Sequence, residues 1–96
     1  MQRGGRRISG PNVVVLHLAN GTQAPRFGLA VSRKVGNAVV RNRVKRWLRE
    51  ALRRQRSGVG GVDVVVIARS SAATAGYPAL YEELRNALRS VRGDAA

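Results

Sequence analysis

From Arg33 to Arg56 the chain reads RKVGNAVVRNRVKRWLREALRRQR, and no other stretch restricts the possible folds as strongly. Val40, Val44, Trp47, Leu48, Ala51 and Leu52 recur at helical spacing and form one apolar stripe. On a wheel of about 100° per residue, Asn42, Lys45, Arg46, Arg49, Arg53 and Arg56 gather on the opposite face. Arg41 and Arg43 fall near its two borders. The stretch therefore reads as one long amphipathic helix. Asn37 suits an N-cap after a turn at Gly36, and Ser57-Gly58 with Gly60-Gly61 stop the helix. Roughly 20 residues at about 1.5 Å each make a rod of about 30 Å, long enough to cross several backbone phosphates. The stretch holds ten of the chain's 18 basic residues and one acid, Glu50. A solvated helix face interleaves both signs, whereas these like charges repel until something neutralises them. One face calls for a core and the other for an anion.

The whole chain points the same way. Its 96 residues make one domain, 1–96, with a modest core and expected mobile ends at 1–6 and 93–96. A net charge of +13 exceeds what solubility needs and points to a polyanion. Nucleic acid is the first choice and an anionic membrane surface the second. The membrane reading is weak, because Trp47 is the only aromatic of the basic helix. No apolar run has the length of a membrane span, and no signal peptide is read at the start. The absence of cysteine excludes disulfides, thiolate metal sites and a cysteine nucleophile, and fits a cytoplasmic location.

Before the helix, Arg6–Ser9 reads as a short strand ended by Gly10-Pro11, and Asn12–Leu18 as a second strand. The second is apolar on both sides, with Val13 and Val15 opposite Val14, Leu16 and Leu18, which predicts cover on both. His17, the only histidine, reads as a strand residue without catalytic partners. Asn20-Gly21 centres a turn before a third strand, Arg26–Ser32. Phe27, Leu29 and Val31 are its bulky side, while Gly28, Ala30 and Ser32 leave room for a packed helix or a ligand. After the helix come a buried strand, Val62–Arg69, a loop of small residues, Ser70–Gly76, and a second helix opened by Pro78. Leu80, Leu84, Ala87, Leu88 and Val91 form the core stripe of that helix. Glu82 and Glu83 in its first turns suit the helix dipole, and Gly93 onward reads as a frayed tail. The order β-β-β-α-β-α predicts an α+β fold, a single mixed sheet with packed helices.

Catalytic chemistry is hard to find. Glu50, Asp63, Glu82, Glu83 and Asp94 include no pair at metal-binding spacing, and there is no phosphate-binding GxxxxGK[ST] loop. The expectation is no catalytic residue and no metal ligand. Gly36-Asn37 opens a helix and gives only a weak signal for one phosphate.

The run from Phe27 to Arg49 is also a family signature. Arg41-Asn42-Arg43-Val44-Lys45-Arg46-Trp47-Leu48-Arg49 resembles the RNR motif of the bacterial ribonuclease P protein component. The approach to it, Arg26-Phe27-Gly28-Leu29-Ala30-Val31-Ser32-Arg33-Lys34-Val35-Gly36-Asn37-Ala38, and the later strand Asp63–Arg69 are similar to that family too. The resemblance implies a sheet whose crossover around the central helix is left-handed, where general rules favour a right-handed one. It implies a subunit of a tRNA-processing endonuclease in which the RNA subunit is the catalyst. Mg²⁺ would be held by RNA and substrate, with none on the protein. By motif, Arg41, Asn42, Arg43, Lys45, Arg46 and Arg49 would bind the RNA subunit. Arg33, Lys34 and Arg69 would contact RNA or the 5′ leader of precursor tRNA. No membrane or protein partner is implied. Members of the family open with a basic helix whose phenylalanines wall one side of the leader cleft. Nothing resembling it precedes Arg6, and Leu16 stands where the family has an aromatic. The expectation is a chain without that helix and with weakened stacking on the leader. The alternative reading is a small basic ribosomal or other structured-RNA-binding protein. No helix-turn-helix, zinc finger or basic zipper supports a DNA-binding module.

Overall fold

The computed structural model describes residues 5–56 and 59–95, with side chains through residue 92. Three strands come first: β1 (Arg6–Ser9), β2 (Val13–Ala19) and β3 (Arg26–Ala30). A single 3₁₀ turn (Arg33–Val35) leads into α1 (Ala38–Gln55), followed by β4 (Val62–Ala68), α2 (Ala72–Ala75) and α3 (Tyr77–Ala95). The strands form one sheet in the order β1-β2-β4-β3. β4 pairs antiparallel with β2 (Val15↔Val66) and parallel with β3 (Leu29↔Val66). A parallel pair needs a crossover connection, and α1 supplies it. The fold is α+β with a mixed sheet, as the element order predicts.

Alternation decides which side of the sheet is covered. Val62, Val64, Val66 and Ala68 of β4 are buried, while Asp63, Val65 and Ile67 face the other way. Val13 and Val15 join the buried side, where Val44, Leu48 and Leu52 of α1 meet Leu80, Leu84, Leu88 and Val91 of α3. Both long helices thus share one core on one side of the sheet. The outer side is covered only in part: Val14 is buried and Leu16 and Leu18 are half-buried there, while Val65 is 38% exposed. Both apolar helix stripes are already satisfied on the inner side, so neither is left for the outer one. The small side of β3 belongs to this outer side: Gly28 stands beside Val65, while Phe27 and Leu29 pack toward the core. His17 is buried.

Several local readings change. Arg33–Val35 forms its own 3₁₀ turn ahead of α1, outside the helix that the sequence caps at Asn37. Gly36 separates them, at φ 156°; a Cβ there would lie 2.7 Å from Val40 Cγ1. Ala72–Ala75 is a short helix in place of the expected loop. Alanine is the best helix former, and the Ser71 carbonyl accepts from the Thr74 and Ala75 amides at 3.2 and 3.0 Å. α3 continues through Ala95, past the point where a frayed tail is expected. Its first turn holds no acid, so Glu82 and Glu83 sit too far in to serve the dipole. Glu83 instead closes on the start of β2: its carboxylate accepts from the Asn12 and Val13 amides at 3.0 and 2.8 Å and from Asn12 Nδ2 at 3.1 Å. A side chain at Gly10 would run into that carboxylate. Arg6, expected in a mobile end, lies in β1 opposite His17. Met1–Gly4, Ala96 and the expected stop at Ser57-Gly58 lie outside the described residues.

Candidate nucleic-acid interface

Three local devices aim the basic face. Ser32 starts the 3₁₀ turn, its hydroxyl accepting from the Lys34 amide at 3.3 Å. Val35 inserts into the core and leaves Arg33 and Lys34 exposed. Asn37 then caps α1 as the sequence predicts, its side-chain oxygen accepting from the Val40 amide at 3.0 Å. The buried positions Val44, Leu48, Ala51 and Leu52 fix the rotation of the helix. That rotation turns Asn42, Arg43, Arg46 and Arg49 to solvent and leaves Arg41 and Lys45 half-buried at the margin.

The electrostatics are one-sided. The first turn of α1 has no acid, so the positive end of its dipole lies beside Arg33 and Lys34 uncompensated. Glu50, the only acid of the helix, is taken by Arg53 at 2.6 Å and Arg54 at 2.8 Å. Those hydrogen bonds, Arg53 first and then Arg54, hold the Glu50 carboxyl down to about 2. No acid of the described residues pairs with Arg41, Arg43, Lys45, Arg46 or Arg49. The Arg43 guanidinium lies 5.7 Å from the Trp47 ring centroid, a cation–π contact that leaves its edge for an acceptor. Arg41 Nε is buried without an acceptor. Such a donor is costly to leave unmade, and an anion reaching this margin would satisfy it.

Arg69 follows β4 as Arg33 and Lys34 follow β3, and the two strands are parallel. All three cations therefore sit at one end of the sheet. Arg69 Nε donates to the Gly10 carbonyl at 2.8 Å, which leaves its terminal nitrogens for a ligand. The outer side of the sheet carries a shallow cleft of about 520 Å³ lined by Arg6, Arg7, Leu16, Leu18, Asp63 and Val65. It lies toward the start of β4, so Arg69, Arg33 and Lys34 are not among its walls.

Sequence reasoning missed three features. The Glu83 clamp joins positions some 70 residues apart, and nothing local marks it. Asp63, read as a surface acid, holds Arg26 through two bonds of 2.7 Å and accepts from Asn20 at 3.1 Å. Those bonds, Arg26 first, keep its carboxyl below the ordinary range. Arg53, placed on the free basic face, is tied to Glu50 at i−3, a spacing the sequence does display. Among the described residues, no three His, Cys, Asp or Glu side chains gather.

Known proteins are similar to this chain in sequence and in fold. The sequence model of the family described as Ribonuclease P matches residues 1–92. A ribonuclease P protein component from Gluconacetobacter diazotrophicus is 43% identical over 94 residues, covering 93% of this chain and 81% of the relative. The solved RNase P protein of Staphylococcus aureus superposes with a TM-score of 0.82 at 31% identity, over 92% of this chain and 82% of that one. The Thermotoga maritima RNase P protein gives 0.81 at 35% identity, over 90% and 83%. The chain belongs to the ribonuclease P protein family.

Proposed function

We propose that α1 and the turn before it hold the RNA subunit of ribonuclease P, so that the assembled enzyme removes the 5′ leader of precursor tRNA. The family is that of a subunit of a tRNA-processing endonuclease; the proposal adds which residues meet which RNA. Arg41, Asn42, Arg43, Lys45, Arg46 and Arg49 bind the RNA subunit, the arginines by forked contacts to phosphate. Arg33, Lys34 and Arg69 contact RNA or leader at the shared end of the parallel strands. The apolar outer side of the sheet, with Leu16, Leu18 and Val65, offers a surface on which leader bases can lie. The observation that carries this reading is the acid-free face from Arg41 to Arg49.

The chemistry belongs to the RNA in this reading. Phosphodiester hydrolysis draws on metal clamps or on a tuned acid and base. Glu50, Asp63 and Glu82 are each paired with arginine, and Glu83 is committed to backbone and side-chain N–H groups. Mg²⁺, held by RNA and substrate, would supply the Lewis acid. The setting is the cytoplasm, and no described helix is long and apolar enough to cross a membrane.

Reconstitution tests the assignment. Purified protein, Mg²⁺ and precursor tRNA are incubated with and without the RNA subunit at low protein concentration. Cleavage should require the RNA, and Arg46→Ala with Arg49→Ala should raise the protein concentration needed by on the order of tenfold or more. Robust cleavage by repurified protein alone would overturn the reading.

A further inference from the structure

Next to the RNR-type face, α1 borders a second basic feature that shares only Arg49 with the proposed RNA contacts. Between its C-terminal half and the sheet edge lies a hollow of about 310 Å³, lined by Phe27, Leu29, Leu52, Arg49, Arg53 and Arg56. Arg53 and Arg56 also border a second hollow of about 530 Å³, with Pro25 and Val59. The two hollows adjoin at Arg53 and Arg56, which line both, and together they are taken as one groove with this pair of guanidinium groups at its waist.

We infer that this groove binds an unstacked nucleotide of single-stranded RNA, its base on Phe27, Leu29 and Leu52 and its phosphate between Arg53 and Arg56. The inference rests on the reading that the chain binds RNA, but it concerns an adjoining surface that shares only Arg49 with that face. Three details select a nucleotide. An aromatic floor beside cations matches a ligand that carries a flat ring one sugar away from a phosphate. The waist is pre-organised: Glu50 holds Arg53 through Nε and Nη2, at 3.1 and 2.6 Å, leaving Nη1 for a ligand. Arg49 and Arg56 have no acceptor among the described residues, and the nearest acid is already neutralised by Arg53 and Arg54. β3 is an edge strand, so one row of its backbone donors and acceptors is unpaired and can meet the edge of a base.

The probe is a five-residue oligouridylate with a central 4-thiouridine, irradiated with the full chain and mapped by mass spectrometry after trypsin. The crosslink should fall in the peptide from Phe27 to Arg33 or in the one from Glu50 to Arg53, which carries Leu52. Arg56→Gln, at an exposed position, should lower its yield about tenfold, while Arg46→Gln, which removes the same charge from a residue that does not line the groove, should leave it nearly unchanged. Unlabelled oligouridylate should compete at least about fivefold better than an abasic strand of equal length. Equal losses in the two variants, a crosslink elsewhere, or equal competition by the abasic strand or by an acidic pentapeptide would each overturn the nucleotide site. Binding of the structured RNA subunit, measured in parallel, separates failure of this groove from failure of the proposed function: Arg46→Gln should weaken that binding whatever the groove does.

Discussion

α1 and α3 are nearly the same object on the inside and opposite objects on the outside. They span 18 and 19 residues and pack against the same side of the sheet through fully buried leucines, Leu48 on α1 and Leu80, Leu84 and Leu88 on α3. On the outer side of α3, Glu82 answers Arg85 at 2.7 Å, and the face mixes both signs. On α1 the face from Asn42 to Arg49 has no such answer, and its one acid is spent nearer the C-terminus on Arg53 and Arg54. Exposed pairs contribute little to stability, so the contrast is not one of folding energy. α1 carries repulsion that α3 avoids, and core packing keeps it helical regardless. A face that costs stability and serves no packing is best explained by a partner that cancels its charge.

The contrast can be broken from the inside first, where the effects are largest. Leu48→Ala and Leu84→Ala should each destabilise the fold by about 2–5 kcal/mol, read from the midpoints of denaturant unfolding. The two changes should be similar in size, because both side chains are fully buried in one cluster. A mild Leu48→Ala would mean that α1 is held in place by something other than the core.

The smallest effect comes from removing the one acid of α1. Glu50→Gln frees Arg53 and Arg54 and removes the negative charge beside the face, so affinity for the RNA subunit should rise, by less than about twofold at physiological salt. Its pH signature has a definite sign. The Glu50 carboxyl is held down to about 2 by Arg53 and Arg54, so its folded pKa lies below its unfolded one. The stabilisation is complete above the ordinary carboxylate range and disappears as pH falls through that range toward about 2. Parallel unfolding curves for the wild type and Glu50→Gln should keep a constant difference from neutral pH down to about 5 and converge below it. A difference that changes between about pH 6 and 8 would contradict the assigned partners.

Much of the molecule is legible in its sequence because local rules carry it. The stripe from Val40 to Leu52 and the cap at Asn37 fix both the helix and its rotation, and rotation alone defines the exposed cations. The strands of Val13–Ala19 and Val62–Ala68 follow from their valine-rich runs. The rest depends on residues far apart in sequence. Apolar residues on both sides of β2 suggest two covers, but only the third dimension shows that both helices choose the same side. The Glu83 clamp needs α3 beside the start of β2, and the groove below Arg53 and Arg56 needs α1 beside β3. The 3₁₀ turn of Arg33–Val35 depends on Val35 finding the core, which helical periodicity does not report.

The central claim is that the α1 face is a dedicated RNA site and the α3 face is solvated surface. The most direct test is the salt dependence of binding to the ribonuclease P RNA subunit for two double variants with equal charge removed. Arg46→Gln with Arg49→Gln should weaken binding and flatten the log–log salt slope by somewhat under about 1 unit for each phosphate no longer neutralised. Arg85→Gln with Arg89→Gln should leave both affinity and slope close to those of the wild type. Equal reductions of affinity and slope in the two doubles would show diffuse attraction to a charged protein and would contradict a dedicated face.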